Sequence, residues 1–240
     1  MMKALILAAG YGSRLAPITD TIPKSLVAVN GTPILFKQIE NLLENGITDI
    51  TIVSGYKADV LEEKVHSKWP DINIIHSADY ATTNNMYSAY LGIKEIGITD
   101  MLMMNADVFF DASVIRELLD FSAPNAIVTD IGTYNEESMK VVESEGRLVS
   151  IAKTITKSEA LGSSIDVYKF DESGTKAFYD MCVEYIEVEN DLKKWSEVAL
   201  NDALSIVRFE ACPLDGRWFE IDNHEDLAAA EKLFKENEKP

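Results

Sequence analysis

Residues 3–15 read Lys-Ala-Leu-Ile-Leu-Ala-Ala-Gly-Tyr-Gly-Ser-Arg-Leu (KALILAAGYGSRL), with Pro23-Lys24 a short way downstream. Lys3 to Ala9 is a short, nearly unbroken apolar run stopped by glycine, the pattern of a central parallel strand. Gly10 and Gly12 then open a tight loop in which backbone N–H groups can approach a polyphosphate with no Cβ in the way. Arg14 adds a planar, permanently charged donor set, and Lys24 adds a point charge. No Gly-Lys-Ser/Thr follows, so this is not a P-loop. Arg14 occupies the place of the third glycine, so it is not a dinucleotide fingerprint. Gly-x-Gly alone reads as an ordinary turn. The full string, with both cations, reads as a phosphate site.

Outward from this loop the periodicity alternates. Pro33 to Asn45 has helical spacing, with Ile34, Ile39, Leu42 and Leu43 on one face and Gly46 as a stop. Ile50 to Ser54 reads as a buried strand, Asp59 to Lys68 as a helix, Asn73 to His76 as a strand, Asn85 to Ile93 as a helix and Met101 to Asn105 as a third apolar strand. Alternation of this kind predicts a mostly parallel sheet flanked by helices. Beyond residue 110 the pattern changes. Ala126 to Ile131, Lys140 to Glu143, Leu148 to Thr154 and Ser164 to Phe170 are strand-like and suggest antiparallel additions. Helices are expected near Gly174–Tyr185 and Leu192–Asp202, short strands at Arg208–Pro213 and Trp218–Ile221, and a closing helix at His224–Glu236. A single domain over 1–240 is expected, with a nucleotide-binding part at 1–110 and an acceptor-binding, metal-completing part at 111–240.

The chain has 240 residues, of which 47% are hydrophobic and 26% charged. That suffices for a sizeable core. No apolar run is long enough for a membrane span, and the apolar N-terminus lacks the length and cleavage site of a signal peptide, so a cytoplasmic protein is expected. Cys182 and Cys212 lie in apolar segments and read as buried free thiols. A net charge of −18, from 22 basic and 40 acidic residues, argues against nucleic-acid or anionic-membrane partners. It is compatible with a nucleotide held by a few local cations, backbone amides and a metal ion.

The string LAAGYGSRLAPITDTIPKSLVAVNGTPIL resembles the signature of the nucleotidyltransferases that make NDP-sugars and CDP-alcohols. The resemblance continues in order through Asn105-Ala106-Asp107, Val149 to Thr154 and Phe219-Glu220-Ile221-Asp222, and so covers nearly the whole chain. It implies a Rossmann-like α/β fold and an NTP donor. Asp79-Tyr80, Asn84-Asn85-Met86-Tyr87-Ser88 and the ending Trp218 to Leu227 most resemble bacterial phosphocholine cytidylyltransferases and their relatives acting on aminoethylphosphonate. Sugar-specific members usually carry Gln-Pro…Gly-Leu-Ala where this chain has the Asn-Asn-Met-Tyr-Ser stretch.

The resemblance implies roles for named residues. Leu7, Ala8, Ala9, Gly10, Gly12, Ser13, Arg14 and Lys24 would bind the nucleotide, with Asp79, Tyr80, Asn84, Asn85, Ser88 and Ala106. Asp107 and Asp222, each following an apolar strand, would be Mg²⁺ ligands; carboxylates at strand ends project where open α/β sheets bind ligands. Asp222 also has the sequence context of a helix cap. Lys153 falls where the family's substrate-phosphate lysine lies, and Lys140 is a second candidate. Glu159, Tyr168, Glu197, Asp202 and Trp218 are candidates for holding the rest of the acceptor, since an ammonium head group wants aromatic faces and carboxylates. Glu197 and Asn201 share a helix face by their spacing. Arg14, Lys24 and Lys153 would carry catalysis by charge neutralisation. The expected reaction transfers CMP from CTP to a small phosphorylated or phosphonate acceptor. The alternatives are a sugar-1-phosphate or inositol-phosphate nucleotidylyltransferase and a catalytically silent nucleotide-sensing subunit.

Overall fold

The computed structural model describes residues 2–235. Its first half runs β1 (Lys3–Ala8), β2 (Ala28–Val29), β3 (Thr32–Pro33), α1 (Ile34–Glu44), β4 (Ile50–Ser54), α2 (Ala58–His66), β5 (Asn73–His76), α3 (Asn85–Ile96) and β6 (Met101–Asn105). It continues with β7 (Val108–Phe110), α4 (Ser113–Asp120), β8 (Ala126–Ile131), β9 (Lys140–Ser144), β10 (Arg147–Ala152) and β11 (Gly162–Phe170). The last elements are α5 (Glu172–Val183), α6 (Ser196–Ala203), β12 (Glu210–Pro213), β13 (Trp218–Glu220) and α7 (His224–Leu233).

The main sheet follows the order β10-β9-β11-β6-β1-β4-β5, with β8 joined to β11 and β12 joined to β8. β6, β1, β4 and β5 are parallel, and β11 begins the antiparallel extension against β6. Side chains alternate across β1. Ala4, Ile6 and Ala8 pack with Leu35 and Ile39 of α1, Leu61 of α2 and Leu118 of α4. Leu5 and Leu7 pack with Met86 and Ile93 of α3, Phe178 of α5 and Leu200 of α6. Both faces are therefore covered, which is why the central strands read as continuous apolar runs. Gly92 lets α3 close onto β1, because a Cβ there would collide with the Leu5 side chain.

Several elements differ from the sequence expectations. Helix α4 was not anticipated; its Val114, Ile115 and Leu118 are buried against the sheet. The helix expected at Leu192–Asp202 forms only from Ser196. The preceding residues, with a turn at Leu192 and Lys193, stay outside the helix because Asn84 N donates to Leu192 O at 3.0 Å, Asn84 Nδ2 to Lys193 O at 3.2 Å and Ser196 N to Asn85 Oδ1 at 2.9 Å. α5 starts at Glu172, capped by Asp171, and its continuation at Glu184–Val188 widens to a π-helix. β10 ends at Ala152, which leaves Lys153 in the following turn. α7 ends at Leu233, and Glu236 lies outside the described residues. Cys182 and Cys212 are free and buried. Among the described residues no helix is long and apolar enough to cross a membrane.

Candidate active site

A cleft opens where β1 and β6 end, the position at which parallel α/β sheets present ligands. The chain leaves β1 through Ala9 and Gly10 and turns at Gly12, whose φ of 69° lies in the left-handed region. A short 3₁₀ turn, Ser13–Leu15, then carries Arg14 across the mouth of the cleft. A second, Lys24–Leu26, points Lys24 into it.

The far wall is built by a small ribbon. β13 pairs antiparallel with β7, with Glu220 opposite Val108, and Ile221 N donates to Asp107 O at 2.9 Å. This pairing brings Asp107, at the end of β6, against Asp222, more than a hundred residues later in the chain. Single oxygens of Asp107, Glu220 and Asp222 lie within 4.8 Å of one another. The Lys24 ammonium sits among them, 2.8 Å from Asp107 Oδ2 and 2.6 Å from Asp222 Oδ1. Arg14 reaches Asp222 Oδ2 at 2.8 Å from an exposed position. Asp107 Oδ1 is buried and accepts no hydrogen bond among the described residues.

The electrostatics follow from this packing. Burial disfavours the charged Lys24, but Asp107 and Asp222 outweigh it and hold the ammonium charged well above the usual lysine range. Burial likewise opposes ionisation of Asp222, yet Lys24 and Arg14 bring its carboxyl below the ordinary value. Burial, then Asp107 and Asp222, push Glu220 up to about 8. Lys24 and Lys153 oppose this, but without a direct ion pair among the described residues they do not prevail.

A second polar group lies deeper. β11 carries a register shift between Ser164 and Tyr168, and within it Asp166 has φ 58°. Asp166 Oδ2 accepts from Asn105 Nδ2 at 3.1 Å, and Asn85 Nδ2 donates to Asn105 Oδ1 at 3.4 Å. Tyr168 Oη lies 2.9 Å from Asp166 Oδ1 and 3.1 Å from Glu197 Oε1. Burial, reinforced by Glu197, Glu220 and Asp107, raises Asp166 well above the carboxylate range. At the rim, the Lys153 ammonium stands 5.1 Å from the centre of the Trp195 ring.

The model of the family described as nucleotidyl transferase matches residues 3–234. The chain belongs to that family. A choline-phosphate cytidylyltransferase of Streptococcus pneumoniae is 33% identical over 192 residues, which is 70% of this chain and 81% of that protein. A CTP:phosphoglutamine cytidylyltransferase of Campylobacter jejuni is 26% identical over 251 residues, covering 94% of this chain and 98% of its own length. The solved structure of the CTP:phosphocholine cytidylyltransferase of Streptococcus pneumoniae superposes with a TM-score of 0.79 over 98% of this chain and 99% of its own, at 24% identity. It shares the fold.

In this nucleotidyltransferase the cleft wall gathers most of the residues expected on the nucleotide side: Leu7, Ala8, Ala9, Gly10, Gly12, Ser13, Arg14 and Lys24, then Tyr80, Asn84, Asn85, Ser88 and Ala106. Asp107, Asp222, Lys153 and Glu197 join them. Asp79 does not line the cleft; it caps its own turn, accepting from Thr82 and Thr83 through its carbonyl, while its carboxylate takes Tyr87 Oη at 3.4 Å. Five acceptor candidates also lie off the wall. Lys140 is fully buried and donates to Glu136 O at 3.0 Å. Glu159 caps Thr156, Asp202 accepts from Tyr185 Oη, and Trp218 Nε1 donates to Asp130 at 3.0 Å. Tyr168 is buried beneath the cleft and reaches it only through its hydroxyl's partners. Asn223, not Asp222, caps α7.

Asp166 and Asn105 were not among the expected site residues. A carboxylate inside the apolar strand Ser164–Phe170 was the available sign, since a buried acid needs a partner or a purpose.

Proposed function

We propose that this nucleotidyltransferase is a Mg²⁺-dependent cytidylyltransferase that moves CMP from CTP to a small phosphorylated or phosphonate acceptor and releases pyrophosphate. The observation that carries this is Lys24, held between two strand-end carboxylates directly below a glycine loop. The cytidylyltransferases among the relatives support CTP as the donor.

The carboxylates fit a hard divalent cation. Single oxygens of Asp107, Glu220 and Asp222 converge within 4.8 Å, and among the described residues Asp107 Oδ1 is buried without a donor. Asp107 and Asp222 would hold Mg²⁺, which when bound offsets charge on the phosphates.

The chain's own groups supply the rest. The backbone N–H groups of Gly10 to Ser13 face the triphosphate. Arg14 and Lys24 neutralise charge that builds on the departing pyrophosphate. Lys153 draws the anionic acceptor toward the α-phosphorus. One acceptor oxygen forms the new P–O bond while the bond to the β-phosphate oxygen breaks. That oxygen is already ionised near neutral pH, so no strong general base is needed. In this scheme residues 1–110 carry the nucleotide, and 111–240 complete the acidic cluster and hold the acceptor.

Pyrophosphate release measured with four NTPs against a panel of phosphorylated acceptors tests the proposal. CTP is expected to exceed UTP, GTP and ATP by at least about tenfold in kcat/KM, because buried groups matched to cytosine are left unpaired by other bases. Preference for UTP with a sugar 1-phosphate replaces the proposal with the sugar-nucleotide alternative. No turnover with any pair leaves a nucleotide-sensing subunit.

A further inference from the structure

The buried face of α1 is apolar except at Gln38 and Asn41. Gln38 sits one helical turn from Ile34 and one from Leu42, and it is fully buried. Its Nε2 donates to Asn105 O at 2.9 Å and to Val108 O at 2.8 Å, so both of its N–H groups are used. Asn41 Nδ2 donates to Phe110 O at 2.8 Å, and Asn45 Nδ2 continues the row to Ala112 O at 3.2 Å. Gln38 Oε1 and Asn41 Oδ1 are buried and accept no hydrogen bond among the described residues. A buried amide with an idle oxygen carries a stability cost that leucine would not. What these two residues add to the apolar face is therefore their donors.

Those donors complete one edge of β7. Backbone groups of an extended strand point alternately to its two sides. Toward β13, Asp107 O accepts from Ile221 N at 2.9 Å and Asp111 N donates to Arg217 O at 3.0 Å. Toward α1, the carbonyls of Val108, Phe110 and Ala112 meet the three amides. Gln38 differs from the other two because its acceptors bracket Asp107, one lying two residues before it and the other directly after. Ala106 N, inside the same turn, donates to Leu7 O at 3.0 Å. The backbone around Asp107 is thereby fixed from α1, β1 and β13. Its carboxylate meets Lys24 through Oδ2, while Oδ1 stays buried without a donor among the described residues. A metal ligand needs such placement, because a carboxylate free to wander binds the ion less tightly.

We propose that Gln38 is a positioning residue for Asp107: its side-chain amide fixes the turn that aims the carboxylate, and so sets the affinity for the divalent ion. This rests on the metal role proposed for Asp107. Gln38 itself lies outside the cleft and touches neither nucleotide nor acceptor in this scheme.

EPR of free Mn²⁺, titrated against protein holding the non-reacting α,β-methylene analogue of CTP, reads metal affinity without turnover. Gln38→Met keeps the length of the side chain and removes both donors. It is expected to weaken Mn²⁺ binding about tenfold or more. Asn41→Leu removes the donor to Phe110 O, farther along the strand. It is expected to lower the melting temperature while changing Mn²⁺ affinity by less than about twofold. The wild type supplies a test that needs no variant to fold. In its ¹⁵N NMR spectrum the side-chain amide signals of Gln38 are expected to move when Mg²⁺ is added to the analogue complex, and those of Asn41 to stay. Wild-type Mn²⁺ affinity in Gln38→Met, equal weakening in both variants, or unmoved Gln38 signals overturns the positioning role and leaves the metal reading standing. Wild-type Mn²⁺ affinity in Asp107→Ala overturns the metal reading of Asp107, and this inference with it.

Discussion

Gly12 lies against the stem of Lys24, so closely that a Cβ on Gly12 would stand 2.7 Å from Lys24 Cβ and 2.9 Å from its Cγ. The glycine thus serves the lysine as well as the turn. Its φ of 69° suits a residue without a side chain, and its bare face lets the Lys24 stem pass on the way to Asp107 and Asp222.

Gly12→Ala is expected to lower kcat by about tenfold or more, because the Lys24 ammonium must shift to relieve the contact. Left-handed backbone adds a stability cost of about 1 kcal/mol. Gly10→Ala, where nothing lies within 4 Å of the added Cβ, is the control and should melt within a few degrees of wild type. Steady-state kinetics and thermal melts of both variants make the comparison. Equal kcat for Gly12→Ala and wild type rules out the coupling.

Asp107→Ala and Asp222→Ala should each cost about a hundredfold or more in turnover, since each removes a ligand from the proposed metal site. Titrating Mg²⁺ against rate should show a weakened or absent metal dependence in both. Near wild-type turnover at ordinary Mg²⁺ in either variant removes that residue from the site.

Lys24→Met leaves Asp107 and Asp222 facing each other with no cation between them. Removing one partner from a largely buried ion group is destabilising, here by about 2 kcal/mol or more without metal. Mg²⁺ is then expected to raise the melting temperature of the variant more than that of the wild type, because the ion replaces the missing charge. Equal shifts in the two proteins contradict the proposed metal position.

Glu220 sets a pH dependence. Burial, with Asp107 and Asp222 beside it, moves its carboxyl from an ordinary value of 4.5 up to about 8. The folded protein therefore keeps a proton that the unfolded chain has lost, and stability falls as pH rises from about 4.5 through about 8. In chelator, wild type is expected to lose at least about 1 kcal/mol relative to Glu220→Gln between pH 5 and pH 8.5. Denaturant unfolding at the two pH values measures it, and parallel pH profiles refute the assignment.

The glycine loop and the two strand-end aspartates could be placed at one cleft because their pattern is written locally: glycines after an apolar run, then cations, and acids soon after Met101–Asn105 and Trp218–Glu220. The close approach of the two acids is not, since it depends on the β7–β13 ribbon pairing residues over a hundred positions apart. Asp79, Glu159 and Asp202 are acids near the right segments, yet none of them lines the cleft, while Glu197 does. Residue type could not separate them from Glu197. Asp166 faces the cleft through a bulge in β11, and a period-two reading of that strand carries no sign of a shifted register. The helix expected to start at Leu192 was displaced by hydrogen bonds to Asn84 and Asn85, tertiary contacts that helical spacing does not contain.

The most direct test of cytidylyl transfer is ³¹P NMR of the reaction of CTP, Mg²⁺ and a small amine-bearing phosphate or phosphonate with the purified protein. The expected spectrum loses the CTP triphosphate pattern and gains pyrophosphate together with a paired phosphorus linkage joining CMP to the acceptor. CTP and acceptor signals that persist unchanged, while UTP or dTTP with a sugar 1-phosphate yields pyrophosphate and a sugar nucleotide, contradict it.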